Sequence, residues 1–247
     1  MKLSAAASLL GLLSYTTASP VRRADSPPYF ITIGDSTVAA NGGWGDGFLS
    51  YVDDPASGTN RGKGGSTTVS WRANGRWEEL VENINETVGD YQAIVTIQFG
   101  HNDQKALSVD EYGGNLVGLC ADIQDLGATP IIITPLSRRS FDGDTVQEDF
   151  VEWRAAAIAA AKSAGADWLD LTTASTDYIN AIGAENAATY DLSEGDGTHI
   201  NTAGQTVFGR MVADLLIATR SDLEEYILRD EALSEKISSG EYATGDE

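Results

Sequence analysis

Apolar residues along this chain gather into short runs, and the stretches between them carry a helical repeat. YFITI at 29–33, AIVTIQF at 93–99, TPIIIT at 129–134 and DWLDL at 167–171 are rich in β-branched or aromatic side chains. Runs of this kind predict strands buried on both faces. Residues 47–52, 76–84, 109–126, 146–164, 176–182 and 202–219 read as helices. The alternation of strand and helix predicts the α/β class, a parallel sheet with helices on both faces. A second strand belongs before the glycines at 62–65, yet DDPASGTNRGKGG is almost devoid of apolar residues, so that strand is either very short or replaced by loop. Residues 221–247 place Leu223, Ile227 and Leu233 among many charges, which predicts one amphipathic surface helix and then a frayed acidic end.

At 247 residues and 42% hydrophobic, the chain suffices for one well-filled core, and a single domain over 24–220 is expected. Lys2, the apolar run AAASLLGLL and the small residues Thr16, Thr17 and Ala18 describe a secretory signal peptide. Arg22 and Arg23 suit dibasic processing, so residues 1–23 are read as leader and propeptide of a secreted, extracellular protein. The apolar run is too short to span a bilayer. Asn85-Glu86-Thr87 is a candidate glycosylation sequon. Cys120 is the only cysteine, which excludes an intramolecular disulfide; its apolar helical setting marks it as a small buried hydrophobe.

The whole chain carries 16 basic and 37 acidic residues, a net charge of −21. Removing residues 1–23 takes away three bases and no acid, leaving 13 against 37, a net of −24. Charge-driven binding to nucleic acid or to an anionic membrane is thereby excluded. A polyanionic substrate would be repelled at neutral pH, so activity in mildly acidic surroundings is expected.

The first strand stops on GDST, residues 34–37. In a parallel sheet the ligand crevice lies beyond the carboxyl ends of the strands, and a serine at that turn presents both its hydroxyl and its N–H there. A helix cap at Ser36 or Thr37 is the competing reading. Only two histidines occur, His101 in QFGHND and His199 in EGDGTHINTAG. Asp196 stands three residues before His199, so one turn can fold the carboxylate onto the imidazole and leave Nε2 free to take a proton from a serine. Three candidate donors for an oxyanion arise: the Ser36 N–H, an N–H within Gly64-Gly65 and the Asn102 amide. GKGGST lacks the spacing of a phosphate-binding loop, and no Gly-x-Ser-x-Gly elbow occurs.

GDST (34–37), the glycine pair of NRGKGGSTT (60–68), GHND (100–103) and DGTH (196–199) resemble, in order, the four blocks of the SGNH or GDSL-like hydrolases. The resemblance implies a flavodoxin-like three-layer α/β/α sandwich with about five strands, and neither cofactor nor metal. By it Ser36 is the nucleophile, His199 the general base and later acid, Asp196 its orienting carboxylate, and Gly65 and Asn102 the oxyanion donors beside the Ser36 N–H. Gly64 takes that role if the glycine run aligns one position earlier. His101 matches a histidine of the third block, read as shaping the loop and counted among candidate substrate contacts, and Asp103 as a carboxylate that organises it. NGGWGDGFLSY, TIQFGHND and ITPLSRRSFDG resemble the rhamnogalacturonan acetylesterases more narrowly, which implies action on acetylated plant cell-wall polysaccharide; a monomer is expected. Arg138 or Arg139 would then pair with a galacturonate carboxylate, against the alternative of a solvated pair or an ion pair with Asp142 or Asp144. Trp44 and Trp71 could stack on sugar rings or pack in the core. Two other readings stand beside this one: the same triad acting on acetylated xylan or short-chain esters, and a non-catalytic secreted binding module.

Overall fold

The computed structural model describes residues 26–247; the leader, Arg22 and Arg23 lie outside the described residues. Five parallel strands form the central sheet: β1 (Pro28–Gly34), β2 (Ser57–Asn60), β3 (Gln92–Gln98), β4 (Thr129–Ile133) and β7 (Asp167–Leu169), in the order β2-β1-β3-β4-β7. The doubtful second strand is therefore present, four residues long, with Tyr29 to Thr32 of β1 in register with Ser57 to Asn60. At the sheet edge its four residues are exposed or half-buried, so no apolar run marks it. A two-residue hairpin, β5 (Phe141–Asp142) with β6 (Thr145–Val146), lies outside the sheet. It takes Val146 out of the helix expected at 146–164, which begins at Val151 instead.

The period of two along each strand divides the core. Ile31, Ile33, Val95, Ile97 and Ile132 face α2 (Arg76–Thr87), α4 (Val109–Asp125) and α5 (Val151–Ala164). Phe30, Ile94, Ile131, Ile133 and Leu169 face α1 (Gly45–Leu49), α6 (Leu171–Ala188) and α7 (Thr202–Thr219). Each such buried aliphatic contributes roughly 1.5–3 kcal/mol over its exposed state, so the sheet is held by hydrophobic burial on both faces. Cys120 lies in the first of these layers, fully buried, its thiol pushed up to about 12 by burial. That environment fits the hydrophobe expected from sequence.

Helices α1 and α7 cross at a pair of glycines. A Cβ on Gly47 would stand 1.9 Å from the Gln205 carbonyl oxygen, and one on Gly209 2.4 Å from the Gly47 carbonyl carbon. This close approach fixes the helix that follows His199 against the helix that follows Ser36.

The C-terminal region departs from the frayed end expected of it. After a 3-10 turn (Ser221–Tyr226), Ile227 bridges to Val52, and the short helix α8 (Glu231–Ser239) is capped by Asp230, whose carboxylate accepts from the Leu233 N–H. Leu223, Leu233 and Ala243 are buried against the α6–α7 layer. Tyr190 Oη donates to the Ala243 carbonyl at 2.6 Å, and the Ala243 N–H donates to Tyr178 Oη at 3.1 Å. Two buried tyrosine hydroxyls thus find their partners in the tail backbone, and that anchors it.

Candidate functional site

The turn after β1 is built around Asp35. Its Oδ1 accepts from the Thr37 N–H at 2.9 Å and the Thr37 hydroxyl at 2.8 Å, and its carbonyl accepts from the Val38 and Ala39 N–H groups. Thr37 also accepts from Gln98 at the end of β3, whose Oε1 in turn accepts from Trp44 Nε1 at 2.8 Å. With Asp35, Thr37 and Gln98 all at 0% exposure, the strand end is held rigidly while Ser36 alone is half-open to solvent. Burial pushes the Asp35 carboxyl up to about 6, against the pull of the Thr37 donors.

The segment 196–199 approaches from the far end of the chain. His199 Nε2 lies 2.9 Å from Ser36 Oγ, and Nδ1 lies 2.9 Å from Asp196 Oδ2 and 3.2 Å from Oδ1. The His199 and Thr198 N–H groups donate to Asp196 Oδ1 at 3.0 and 3.1 Å. Burial pushes the Asp196 carboxyl up, but the His199 N–H, its imidazole and the Thr198 N–H outweigh that and hold it below the ordinary carboxylate range. An ionised Asp196 on Nδ1 fixes the tautomer that leaves Nε2 as acceptor for the serine proton.

The glycine loop and the third block close the other side of Ser36. The Lys63 N–H donates to the Gly34 carbonyl at 2.9 Å, and a Cβ on Gly64 would stand 3.8 Å from Ser36 Cβ. Gly65 has φ +77°, a conformation that favours glycine, and a Cβ there would meet no atom within 4 Å. Asn102 Nδ2 donates to the Ser66 carbonyl at 3.0 Å, which uses one of its two N–H donors. Asp103, the first residue of the short helix α3 (Asp103–Ala106), is buried and accepts from the Thr68 N–H at 2.9 Å and hydroxyl at 2.7 Å, joining the two loops. Burial raises its pKa despite those donors.

Several residues singled out for substrate contact lie elsewhere. Trp44 is fully buried on Gln98. Trp71, 1% exposed, donates from Nε1 to the Arg61 carbonyl and packs edge-on to Phe99. Both are core residues and offer no stacking face. His101 is 2% exposed, its ring on Phe150 and its Nδ1 3.9 Å from Asp35 Oδ2; burial, aided by the Arg138 charge, holds it well below the ordinary imidazole range. It is a neutral part of the packing beneath the site. Arg139 is a buried residue bonded to Asp191, not a uronate ligand. Arg138 is half-buried, paired with Asp149 at 2.9 Å and stacked on Phe150, so its partner is neither Asp142 nor Asp144. Asn85 is exposed on α2.

Features unmarked by the sequence reading also border the site. Leu192 is 48% exposed, and both it and His199 approach Gly42. Lys63 and Lys105 are exposed, the first next to Gly64, the second with its N–H on the Asn102 carbonyl. Among the described residues no helix is long and apolar enough to cross a membrane, and no cluster of His, Cys, Asp and Glu suited to a metal ion occurs.

The chain is similar to several known proteins. The rhamnogalacturonan acetylesterase RhgT of Bacillus subtilis is 29% identical over 221 residues, 80% of this chain and 93% of that protein. A crystal structure of another Bacillus subtilis protein superposes with a TM-score of 0.67 at 23% identity, over 78% of this chain but only 57% of that one. The acetylxylan esterase Axe2 of Geobacillus stearothermophilus superposes with a TM-score of 0.56 at 19% identity, over 83% and 98% of the two chains. The sequence model of the GDSL-like lipase/acylhydrolase family matches residues 32–207, from within β1 to within α7 and so across Ser36, Asn102, Asp196 and His199; the chain belongs to that family of ester hydrolases.

Proposed function

We propose that the protein is a secreted serine acetylesterase that removes acetyl groups from pectic rhamnogalacturonan, with Ser36, His199 and Asp196 as its catalytic residues. The observation that carries the reading is the continuous hydrogen-bonded line from Asp196 through His199 to the half-exposed Ser36 hydroxyl. Ser36 Oγ attacks the acetyl carbonyl as its proton passes to His199 Nε2. The tetrahedral oxyanion is met by the N–H groups of Ser36 and Gly65 and by the Asn102 amide. Collapse expels the sugar oxygen, which takes the proton back from His199, and leaves acetyl-Ser36. Water, giving its proton to His199, then releases acetate and free serine.

Similarity to RhgT over most of both chains supports the pectic substrate; the acetylxylan esterase resembles this chain in fold alone. With Arg139 buried and Arg138 held by Asp149, the exposed Lys63 and Lys105 are the cations beside the oxyanion loops that a galacturonate carboxylate can meet. Mildly acidic surroundings, expected from the net charge, also keep Asp35 protonated. The exposed Asn85 fits a glycan on a secreted chain. Acetate release by the protein and by Ser36→Ala from acetylated rhamnogalacturonan, acetylated xylan and an aryl acetate, measured side by side, tests this. Preference for the pectic polymer, abolished by the substitution, is expected; Ser36-dependent release from xylan alone overturns the substrate.

A further inference from the structure

The loop bearing Asp196 and His199 belongs to no helix or strand, yet it delivers an imidazole to within hydrogen-bond reach of Ser36. One buried side chain grips it at several points. Arg139, in the loop after β4, has a side chain at 0% exposure. Its Nε donates to Asp191 Oδ1 at 2.9 Å, and its Nη2 donates to the carbonyls of Asp196 at 2.9 Å and His199 at 2.6 Å. Its own N–H donates to the Gly197 carbonyl at 2.7 Å. Three of these four bonds therefore end on the segment 196–199. Asp191 ties the same loop at its other end: it bridges to Ile200, and the neighbouring Leu192 N–H donates to the His199 carbonyl at 3.0 Å.

Burying a guanidinium is costly, and Asp191 compensates only in part: burial pulls the Arg139 pKa down against the pull of that carboxylate. Nη1 is buried with no partner. A residue kept for stability alone would be better replaced by an aliphatic side chain here. What Arg139 supplies instead is geometric, since a planar fork can grip a carboxylate with one nitrogen and two carbonyls with another, and an ammonium cannot.

We propose that Arg139, seated on Asp191, is a positioning residue for the general base: by holding the carbonyls of Asp196 and His199 it keeps the imidazole on the line between Asp196 and Ser36. This rests on the reading of His199 as that base. A misplacement of about 1 Å can cost on the order of 10²-fold in rate, so the effect belongs in kcat.

The test uses the full chain with Arg139→Gln, Arg139→Lys and Asp191→Asn, following kcat and KM on an aryl acetate, thermal unfolding, and the downfield proton resonance of the His199 Nδ1–H bonded to Asp196. Folded Arg139→Gln and Arg139→Lys are expected to lose about 10–100-fold in kcat with KM within about twofold, and the resonance should broaden or vanish. Asp191→Asn should act in the same direction, less strongly. A folded Arg139→Gln that keeps kcat within twofold and retains the resonance overturns the proposal, as does a rise in KM at constant kcat. Should both Arg139 variants fail to fold, Asp191→Asn decides, and unchanged kcat with an unchanged resonance overturns it. If the unsubstituted protein shows the resonance but no Ser36-dependent turnover, the esterase reading fails by itself, and loss of the resonance on substitution still supports the positioning role.

Discussion

Ser36 and His199 meet at 2.9 Å, but they are supported in different ways. Ser36, the proposed nucleophile, leaves the end of a central strand, and Asp35, Thr37 and Gln98 beneath it have no exposed surface. His199, the proposed base, lies on a loop of irregular backbone where a third of its side chain and a quarter of that of Asp196 are exposed. One half of the site is fixed by the hydrophobic layers of the sheet, the other by polar contacts through Arg139 and Asp191. A fold can hold a small side chain from behind with its core, whereas a group that must accept and return a proton has to stay near solvent and be held from the side.

On the Ser36 side the largest effect is expected from the proposed oxyanion donors. Asn102→Ala should lower kcat by about 10²–10³-fold with little change in KM, because the amide meets charge that exists only in the transition state. Part of that loss would come from the Ser66 carbonyl, which would lose its donor. Steady-state kinetics on an aryl acetate checks it; an unchanged kcat would remove Asn102 from the mechanism.

A smaller effect concerns stability. With its folded pKa raised to about 6 from 3.8, Asp35 contributes stability that is fully present below about pH 4 and is lost as pH rises through 6. The difference amounts to roughly 3 kcal/mol. Asp35→Asn keeps an acceptor for both Thr37 donors and cannot ionise, so its unfolding free energy relative to the unsubstituted protein should rise between pH 4 and pH 7. Asp196, held below its ordinary value, acts oppositely, and its contribution is lost as pH falls through that depressed value. Denaturant unfolding across this range measures the difference; a pH-independent gap would contradict the buried, proton-retaining Asp35.

The same contrast explains what could be read from the sequence. GDST, GHND and DGTH could be picked out because they are short polar blocks at strand ends and before a helix, and the structure brings Ser36, His199 and Asp196 into one hydrogen-bonded line. The strands of the sheet centre were legible because burial on both faces leaves a continuous apolar run, while β2, at the edge, leaves almost none. Trp44 and Trp71 carry no local sign of whether their rings face sugar or core; Gln98 and the Arg61 carbonyl, far off in sequence, decide it. Nothing near Arg139 in the sequence separates a substrate contact from an internal ion pair, because its partner Asp191 lies 52 residues away. The helix expected at 176–182 runs from Leu171 to Ala188, since Asp170 caps it and a non-helical Gly183 is carried within it as a kink. The packed tail depends on hydroxyls of Tyr178 and Tyr190 that no local pattern in 221–247 announces.

The central claim is that Ser36 is a nucleophile activated by His199. Its most direct test is the intact mass of the protein after brief exposure to a fluorophosphonate, for the unsubstituted chain, Ser36→Ala and His199→Ala. The account predicts a single adduct mapping to Ser36, absent in Ser36→Ala and formed at least about 10³-fold more slowly in His199→Ala. An adduct on another residue, or labelling that survives Ser36→Ala, would contradict it.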